Sequence, residues 1–160
     1  MIQRIQTAFL LVVTVLAVII VVHPVSEMTL NNGTYAIFTS FSLKSLSEPV
    51  QIYLYTFPIA VLAIASAGIG FITILFFQKR ILQMRLCVYN ILITIGLAAV
   101  MFFYYFIIVK GEIGNTGLSV KIHSFTYTII IPFINIILLF QAFRSIRRDD
   151  ILIKSYDRLR

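Results

Sequence analysis

Four long apolar runs, separated by polar segments, dominate the pattern of the chain. Two of them, residues 53–77 and 86–109, contain no Asp, Glu, Lys, Arg or His. Each can cross a hydrocarbon layer of about 30 Å at about 1.5 Å per helical residue. The short basic hinge between them, 78–85, permits only an antiparallel pair of helices. With one further run on each side, we predict helices at about 5–23, 53–77, 86–109 and 124–143.

The predicted fold class is therefore all-α: an antiparallel bundle of four transmembrane helices in a single domain, residues 1–160. Loops 24–52 and 110–123 then lie on one side of the membrane, and the hinge and the tail, 144–160, lie on the other. Within the first loop, a turn at Asn31-Asn32-Gly33 precedes β-branched and aromatic residues, which predicts one or two short strands. Residues 118–122 alternate apolar and polar, so they could pair with those strands.

Composition agrees with a membrane domain and little else. The chain has 160 residues, of which 60% are hydrophobic, and this leaves no room for a soluble domain of ordinary size. A single cysteine, Cys87, excludes an intramolecular disulfide and a multi-cysteine metal site. Residues 7–22 look like a signal peptide, but no small-x-small cleavage site follows, so we interpret them as an uncleaved anchor.

The net charge of +7 is unevenly placed. Ten of the thirteen basic residues fall on the side of the hinge, and the positive-inside rule makes that side, with both termini, cytoplasmic. Such a surface attracts anionic headgroups, so lipid accounts for the charge and no nucleic-acid partner is predicted. Predicted contacts of the inner face with lipid or a partner are Lys79, Arg80, Arg85, Arg144, Arg147, Arg148, Arg158 and Arg160.

Small residues recur at four-residue spacing in the second helix, at Ala63 and Ala67 and at Ser66 and Gly70. This spacing lets helix backbones approach closely, so we predict a helix-packing seam there. The charged tail, 144–160, has apolar residues at spacings that line one side of a helix. It should form either a continuation of the fourth helix or an amphipathic helix on the inner leaflet.

Pro132 and Asn135 mark a predicted polar spot inside the bundle. A proline at mid-membrane would free the carbonyl of Thr128, and Asn135 lies about one turn further on. Pro58 is expected to bend the second helix in its outer half.

Two histidines, His23 and His123, are predicted at the outer surface, at the end of the first helix and the start of the fourth. Imidazoles from facing helices can hold haem or a transition metal, although an interfacial histidine needs no such partner. Asp, Glu, Lys and Arg are absent from the predicted spans, and the chain has no Gly-x-Ser-x-Gly elbow and no phosphate-binding glycine loop. We therefore predict no enzyme, no catalytic residue, no metal site and no resident cofactor.

Both ends of the chain carry a recognisable pattern. The opening residues, MIQRIQT at 1–7, and the closing segments, RSIRRDD at 144–150 and KSYDRLR at 154–160, resemble a family of small four-helix membrane proteins of Bacteroidetes with a domain of unknown function. The resemblance covers essentially the whole chain. It implies a multi-pass protein of the bacterial inner membrane, and it brings no activity.

These observations favour a non-enzymatic protein that acts as a small accessory or scaffold subunit of a larger envelope complex, with a protein partner of unknown identity. The alternative is a cofactor- or lipid-binding protein that uses the two histidines or the region of Pro132 and Asn135.

Overall fold

The computed structural model describes residues 2–30, 33–46, 50–77, 79–110 and 120–158. Within them the chain forms four α-helices: α1 Ile2–Val22, α2 Phe57–Leu75, α3 Arg80–Lys110 and α4 Ile131–Arg158. It also forms five strands: β1 Ser26–Leu30, β2 Tyr35–Phe38, β3 Ser42–Ser45, β4 Ile52–Tyr55 and β5 Val120–Phe125. A short 3-10 helix, Tyr127–Ile129, leads into α4.

The helices pack in a ring in which each has two neighbours. Helix α1 contacts α2 and α4, and α3 contacts the same two helices. Three apolar stretches are long enough to cross a membrane: Phe57–Leu75, Arg80–Ile108 and Tyr127–Ile151. Between 22% and 33% of their most apolar windows is buried inside the protein, so most of this apolar surface faces outward. Helices that are apolar on their outward faces indicate a membrane protein. The apolar part of α1, Gln6–Val22, is shorter.

The strands form one antiparallel sheet, in the order β4-β3-β2-β1-β5, across one end of the ring. Ala36, Phe38 and Leu43 point toward the helices and share a buried cluster with Ile20 near the end of α1. The hydroxyl of Ser40, in the turn between β2 and β3, donates a hydrogen bond to the backbone oxygen of Ile20. We call this end of the ring the sheet end.

The opposite end, where α3 begins and α1 starts, is the basic end. A second buried cluster fills the ring toward this end, and it comprises Leu10, Val13, Cys87, Leu139, Ala142 and Ile146. The two clusters are separated along the helices by the polar side chains described below.

The sheet is larger than the sequence predicts, and this moves the helix starts. Four strands lie between α1 and α2, and β5 pairs with β1, with His123 opposite Met28. The predicted start of the fourth helix at 124 is wrong, because residues 120–125 are paired in the sheet and α4 begins at Ile131. His123 therefore lies on a strand. Residues 111–119 lie outside the described part of the chain.

The predicted bend at Pro58 is wrong, and so is the predicted position of Pro132 in the interior of the fourth helix. Pro58 is the second residue of α2, and Pro132 is the second residue of α4. The first turn of a helix has no intrahelical acceptor for its N–H groups, so proline costs no hydrogen bond there. The N–H of Ile130 donates to the backbone oxygen of Tyr127 at 3.0 Å.

The predicted hinge 78–85 is mostly helix. Helix α3 begins at Arg80, so Arg85 is also helical and the connection from α2 is only 76–79, of which residue 78 lies outside the described part. At the other terminus, α4 runs without a break from the apolar region through Arg158. Of the two predicted forms of the tail, it takes the continuation of the fourth helix.

Candidate functional site

A layer of polar side chains crosses the interior of the ring between the two apolar clusters. On α2, the Ser66 hydroxyl donates to Asn90 Oδ1 of α3 at 2.8 Å and lies 3.4 Å from Thr94 Oγ1. Thr94 in turn donates to the backbone oxygen of Asn90 at 2.7 Å. All three residues are at most 1% exposed. In apolar surroundings, an interhelical hydrogen bond of this kind contributes about 0.6–2 kcal/mol.

Helices α1 and α2 approach closely at the same level. A Cβ atom added to Gly70 would lie 2.7 Å from Thr14 Oγ1 and 3.6 Å from Asn90 Nδ2. The Thr14 hydroxyl is held by a 2.9 Å hydrogen bond to the backbone oxygen of Leu10. Since this space is already occupied, glycine is required at position 70 for this approach of α1 to α2.

Of the predicted packing seam, Gly70 lies at this contact with α1, whereas Ser66 faces α3. Ala63, Ser66 and Gly70 are buried, whereas Ala67 is half-buried. Gly68 and Gly96 have open space where a Cβ would be. Small size at these last two positions is therefore not required by any close contact.

Asn135 is the polar residue that α4 places in the interior. It is fully buried, and it lies between Ile131 of the sheet-end cluster and Leu139 of the basic-end cluster. Neither of its amide atoms bonds to a described residue, and the same is true of Asn90 Nδ2. A buried polar atom without a partner costs about 1–3 kcal/mol. Pro132 lies in the first turn of α4, where it removes no intrahelical hydrogen bond.

Two side-chain hydrogen bonds hold neighbouring helices together at the basic end. Gln6 Nε2 of α1 donates to Asp149 Oδ2 of α4, and both residues are nearly buried. Gln83 Nε2 of α3 donates to the backbone oxygen of Thr73 in α2 at 3.0 Å. Neither contact was predicted from the sequence. In the sequence, Asp149 follows Ile146 by three residues and Ala142 by seven. This spacing places it on the same, buried side of α4.

The predicted basic contacts do gather at this end. Exposed members are Lys79, Arg85, Arg144, Arg147 and Arg148. Arg80 is half-buried, and its Nη1 atom is buried without a hydrogen-bond partner among the described residues. The Arg158 side chain and the whole of Arg160 lie outside the described part of the chain. The described cations thus form an exposed basic surface around the start of α3 and the later turns of α4.

The two histidines lie at the sheet end. His23 directly follows α1, and its Nδ1 atom is 3.3 Å from the hydroxyl of Tyr127. The two rings are 6.0 Å apart and tilted at 57°. His123 lies on β5 next to β1, and its side chain is not described. Among the described side chains, no three His, Cys, Asp or Glu residues come together as a metal site would require.

One face of the sheet turns away from the helices and carries four exposed apolar or aromatic side chains beside exposed Lys44 and Glu27. Tyr35, Leu46, Ile52 and Tyr55 are 66%, 63%, 51% and 70% exposed. Tyr35 and Leu46 are neighbours, because Leu46 N–H donates to the Tyr35 carbonyl, and Ile52 lies on the next strand, opposite Lys44. Tyr55 lies opposite Ser42, close to the start of α2. We call these four residues the open sheet face. This surface was not predicted from the sequence, although alternating burial along β2 and β3 is the ordinary pattern of a half-covered sheet.

Comparison with known proteins places the chain in a family without bringing a reaction to it. No protein of curated function is significantly similar to the chain. A family model does match, and it covers residues 2–159, so the resemblance to an uncharacterised family that was predicted from the two ends of the chain is confirmed. The protein belongs to the family described as "Domain of unknown function (DUF4293)".

Proposed function

We propose that this protein is a non-enzymatic subunit of the bacterial inner membrane, with both termini cytoplasmic, that serves as a small accessory or scaffold component of a larger envelope complex. The observation that carries this proposal is the open sheet face. An accessory subunit needs a surface that neither its own core nor lipid covers, and this face has the composition of such a surface.

Charge supports the orientation. The exposed cations Lys79, Arg85, Arg144, Arg147 and Arg148 cluster at the basic end, and the sheet end carries exposed Lys44 and exposed Glu27, which offset each other. Since basic segments are retained in the cytoplasm, the basic end is the cytoplasmic one. The sheet is then on the periplasmic side, outside the hydrocarbon layer.

Single cysteines test this orientation directly. With buried Cys87 replaced by alanine, a cysteine is introduced either at exposed His23, which lies at the sheet end but outside the open sheet face, or at exposed Arg85. In intact spheroplasts, a membrane-impermeant maleimide should label position 23 at once and position 85 only after the membrane is opened. The reverse order of labelling would refute the proposed orientation.

Position on the sheet argues that a protein covers the open face. The turn between β2 and β3 contacts the end of α1, so Tyr35, at the other end of β2, lies about 10 Å further from the helices at about 3.3 Å per strand residue. Lipid tails do not reach side chains held beyond the helix ends. Contiguous exposed apolar surface in water marks a site of protein contact, and tyrosine is among the residues enriched at such contacts.

A substitution on this face tests the subunit role. The tagged wild-type chain and a Leu46→Lys/Ile52→Lys variant are purified from the native membrane in mild detergent, and co-purifying proteins are quantified by mass spectrometry. We expect a stoichiometric partner with the wild type that is lost, at least tenfold, with the variant. Val22→Lys serves as the matched control, because Val22 is 73% exposed at the sheet end but lies on α1.

The outcomes separate the proposals. A partner that binds the double variant as well as the wild type would show that the open sheet face is not the contact. A single protein that carries a pigment or a metal would instead favour the cofactor-binding alternative that was predicted from His23 and His123. An absorption spectrum of the same sample detects haem.

A further inference from the structure

An open groove of about 700 Å³ runs along the outward side of α4, and its wall is apolar away from the basic end. Ile136, Ile137 and Phe140 of α4 form this apolar stretch, with Phe9 of α1 and Ile91 of α3 also contributing. Ile137 and Phe140 are each 59% exposed, so the stretch is open to the surroundings of the helix.

Toward the basic end the same groove becomes polar and positively charged. Gln141 and Ser145 line it, together with the exposed side chains of Arg144 and Arg148. The two arginines are four residues apart, which places them on one side of the helix with their Cβ atoms about 5–6 Å apart. Neither guanidinium hydrogen-bonds to another residue in the described part of the chain, and the nearby carboxylate of Asp149 is engaged by Gln6.

We propose that this groove, which we call the α4 groove, binds one anionic glycerophospholipid of the cytoplasmic leaflet. Its phosphate lies between Arg144 and Arg148, and its acyl chains lie along Ile136, Ile137 and Phe140. The inference rests on the membrane placement proposed above, and it adds a specific site and a ligand class to it.

The length and chemistry of the groove fit this ligand. Residues 136–148 span about 18 Å at about 1.5 Å per helical residue, and the apolar part and the charged part follow each other in the order of a phospholipid. Arginine presents a planar fork of donors that matches phosphate oxygens, so a pair of them holds a phosphate better than two lysines would. In a zwitterionic lipid, the headgroup's own cation neutralises the phosphate. An anionic headgroup has no such cation, so the arginines of the protein can neutralise its phosphate.

A tryptophan in the groove can report the occupant, since the chain contains none. In the full-length Phe140→Trp variant, reconstituted in phosphatidylcholine vesicles, fluorescence is quenched by lipids with brominated acyl chains. Brominated phosphatidylglycerol and brominated phosphatidylcholine are compared at equal mole fractions. The control tryptophan replaces Tyr89 on α3, which is 57% exposed and lies at a similar depth, because Cys87 and Leu139 pack in the same cluster.

One arginine near an anionic surface adds about fivefold in affinity. In the Phe140→Trp variant we therefore expect half-maximal quenching at an about ten- to thirtyfold lower mole fraction of the phosphatidylglycerol, and no such preference in the Tyr89→Trp variant. Adding Arg144→Gln/Arg148→Gln should abolish the preference. The charge-matched control, Arg85→Gln/Arg147→Gln, removes two exposed cations that do not line the groove and should retain most of it.

Three results would overturn the site. These are equal quenching by the two lipids in the Phe140→Trp variant, an equal preference at position 89, and an equal loss in the two arginine double variants, which would indicate general surface charge. The membrane placement fails differently: neither tryptophan would then be quenched by either brominated lipid.

Discussion

Replacing Gly70 by alanine should weaken the contact between α1 and α2. The new Cβ would lie 2.7 Å from Thr14 Oγ1, well short of the 3.4 Å at which contact becomes ordinary. Thr14 is β-branched, and its hydroxyl is fixed to the carbonyl of Leu10, so the clash is relieved by separating the helices or by breaking that hydrogen bond. Overpacking of this kind costs about 1–3 kcal/mol.

Alanine also favours helix over glycine by about 0.5–1 kcal/mol, which partly offsets the clash. The expected net loss in free energy of unfolding is therefore about 0.5–2 kcal/mol. It can be measured by reversible unfolding of the purified protein in mixed micelles with increasing dodecyl sulfate, followed by far-ultraviolet circular dichroism.

Two other glycines in helices supply matched controls. No atom lies within 4 Å of a Cβ built at Gly68 or Gly96, so Gly68→Ala and Gly96→Ala should be neutral or slightly stabilising. A double variant, Thr14→Ala/Gly70→Ala, removes the clashing hydroxyl and should be more stable than the sum of the single variants, with a coupling of about 0.5–3 kcal/mol. If Gly70→Ala unfolded at the same detergent fraction as Gly68→Ala, the close approach of α1 and α2 would be wrong.

Other buried groups give further predictions in the same unfolding assay. Asn135→Leu should be neutral or stabilising, because it removes two unpaired amide atoms, whereas Asn90→Leu should destabilise by about 1–3 kcal/mol, because Ser66 loses its acceptor; equal effects would contradict this pairing. Gln6→Ala should speed hydrogen exchange in the first turns of α1 and leave the sheet-end turns of α2 unchanged. Buried Cys87 should react with maleimide only after unfolding, and rapid labelling of the folded protein would show that the basic-end cluster is open.

Composition and apolar run length are sufficient to predict four helices, but they misplace the starts of α2, α3 and α4. Ile52–Tyr55 and Val120–Phe125 are rich in β-branched and aromatic residues, which suit both a strand and a membrane helix. The prolines carried the missing information, because Pro58 and Pro132 mark the first turns of α2 and α4. Both had been assigned to helix interiors instead.

The polar interior was harder to predict, because it depends on which helix faces face each other. Gly70 and Gly68 are alike in sequence, and their difference is the position of Thr14, 56 residues away on another helix. Pairing of Ser66 with Asn90, and of Gln6 with Asp149, likewise needs the ring order of the helices. The distribution of charge was easier to predict. The side of the membrane on which a basic residue lies depends only on which loop contains it, so the basic residues could be grouped without knowing how the helices pack.

Strand β5 gives the molecule a mechanical polarity. By pairing with β1 it joins the connection between α3 and α4 to the connection between α1 and α2, so backbone hydrogen bonds link both halves of the ring at the sheet end. At the basic end, α1 is held to α4 by the side-chain bond of Gln6 to Asp149. A force or fluctuation that separates α1 from α4 should therefore separate them first at the basic end, while the sheet holds the other end of the ring together.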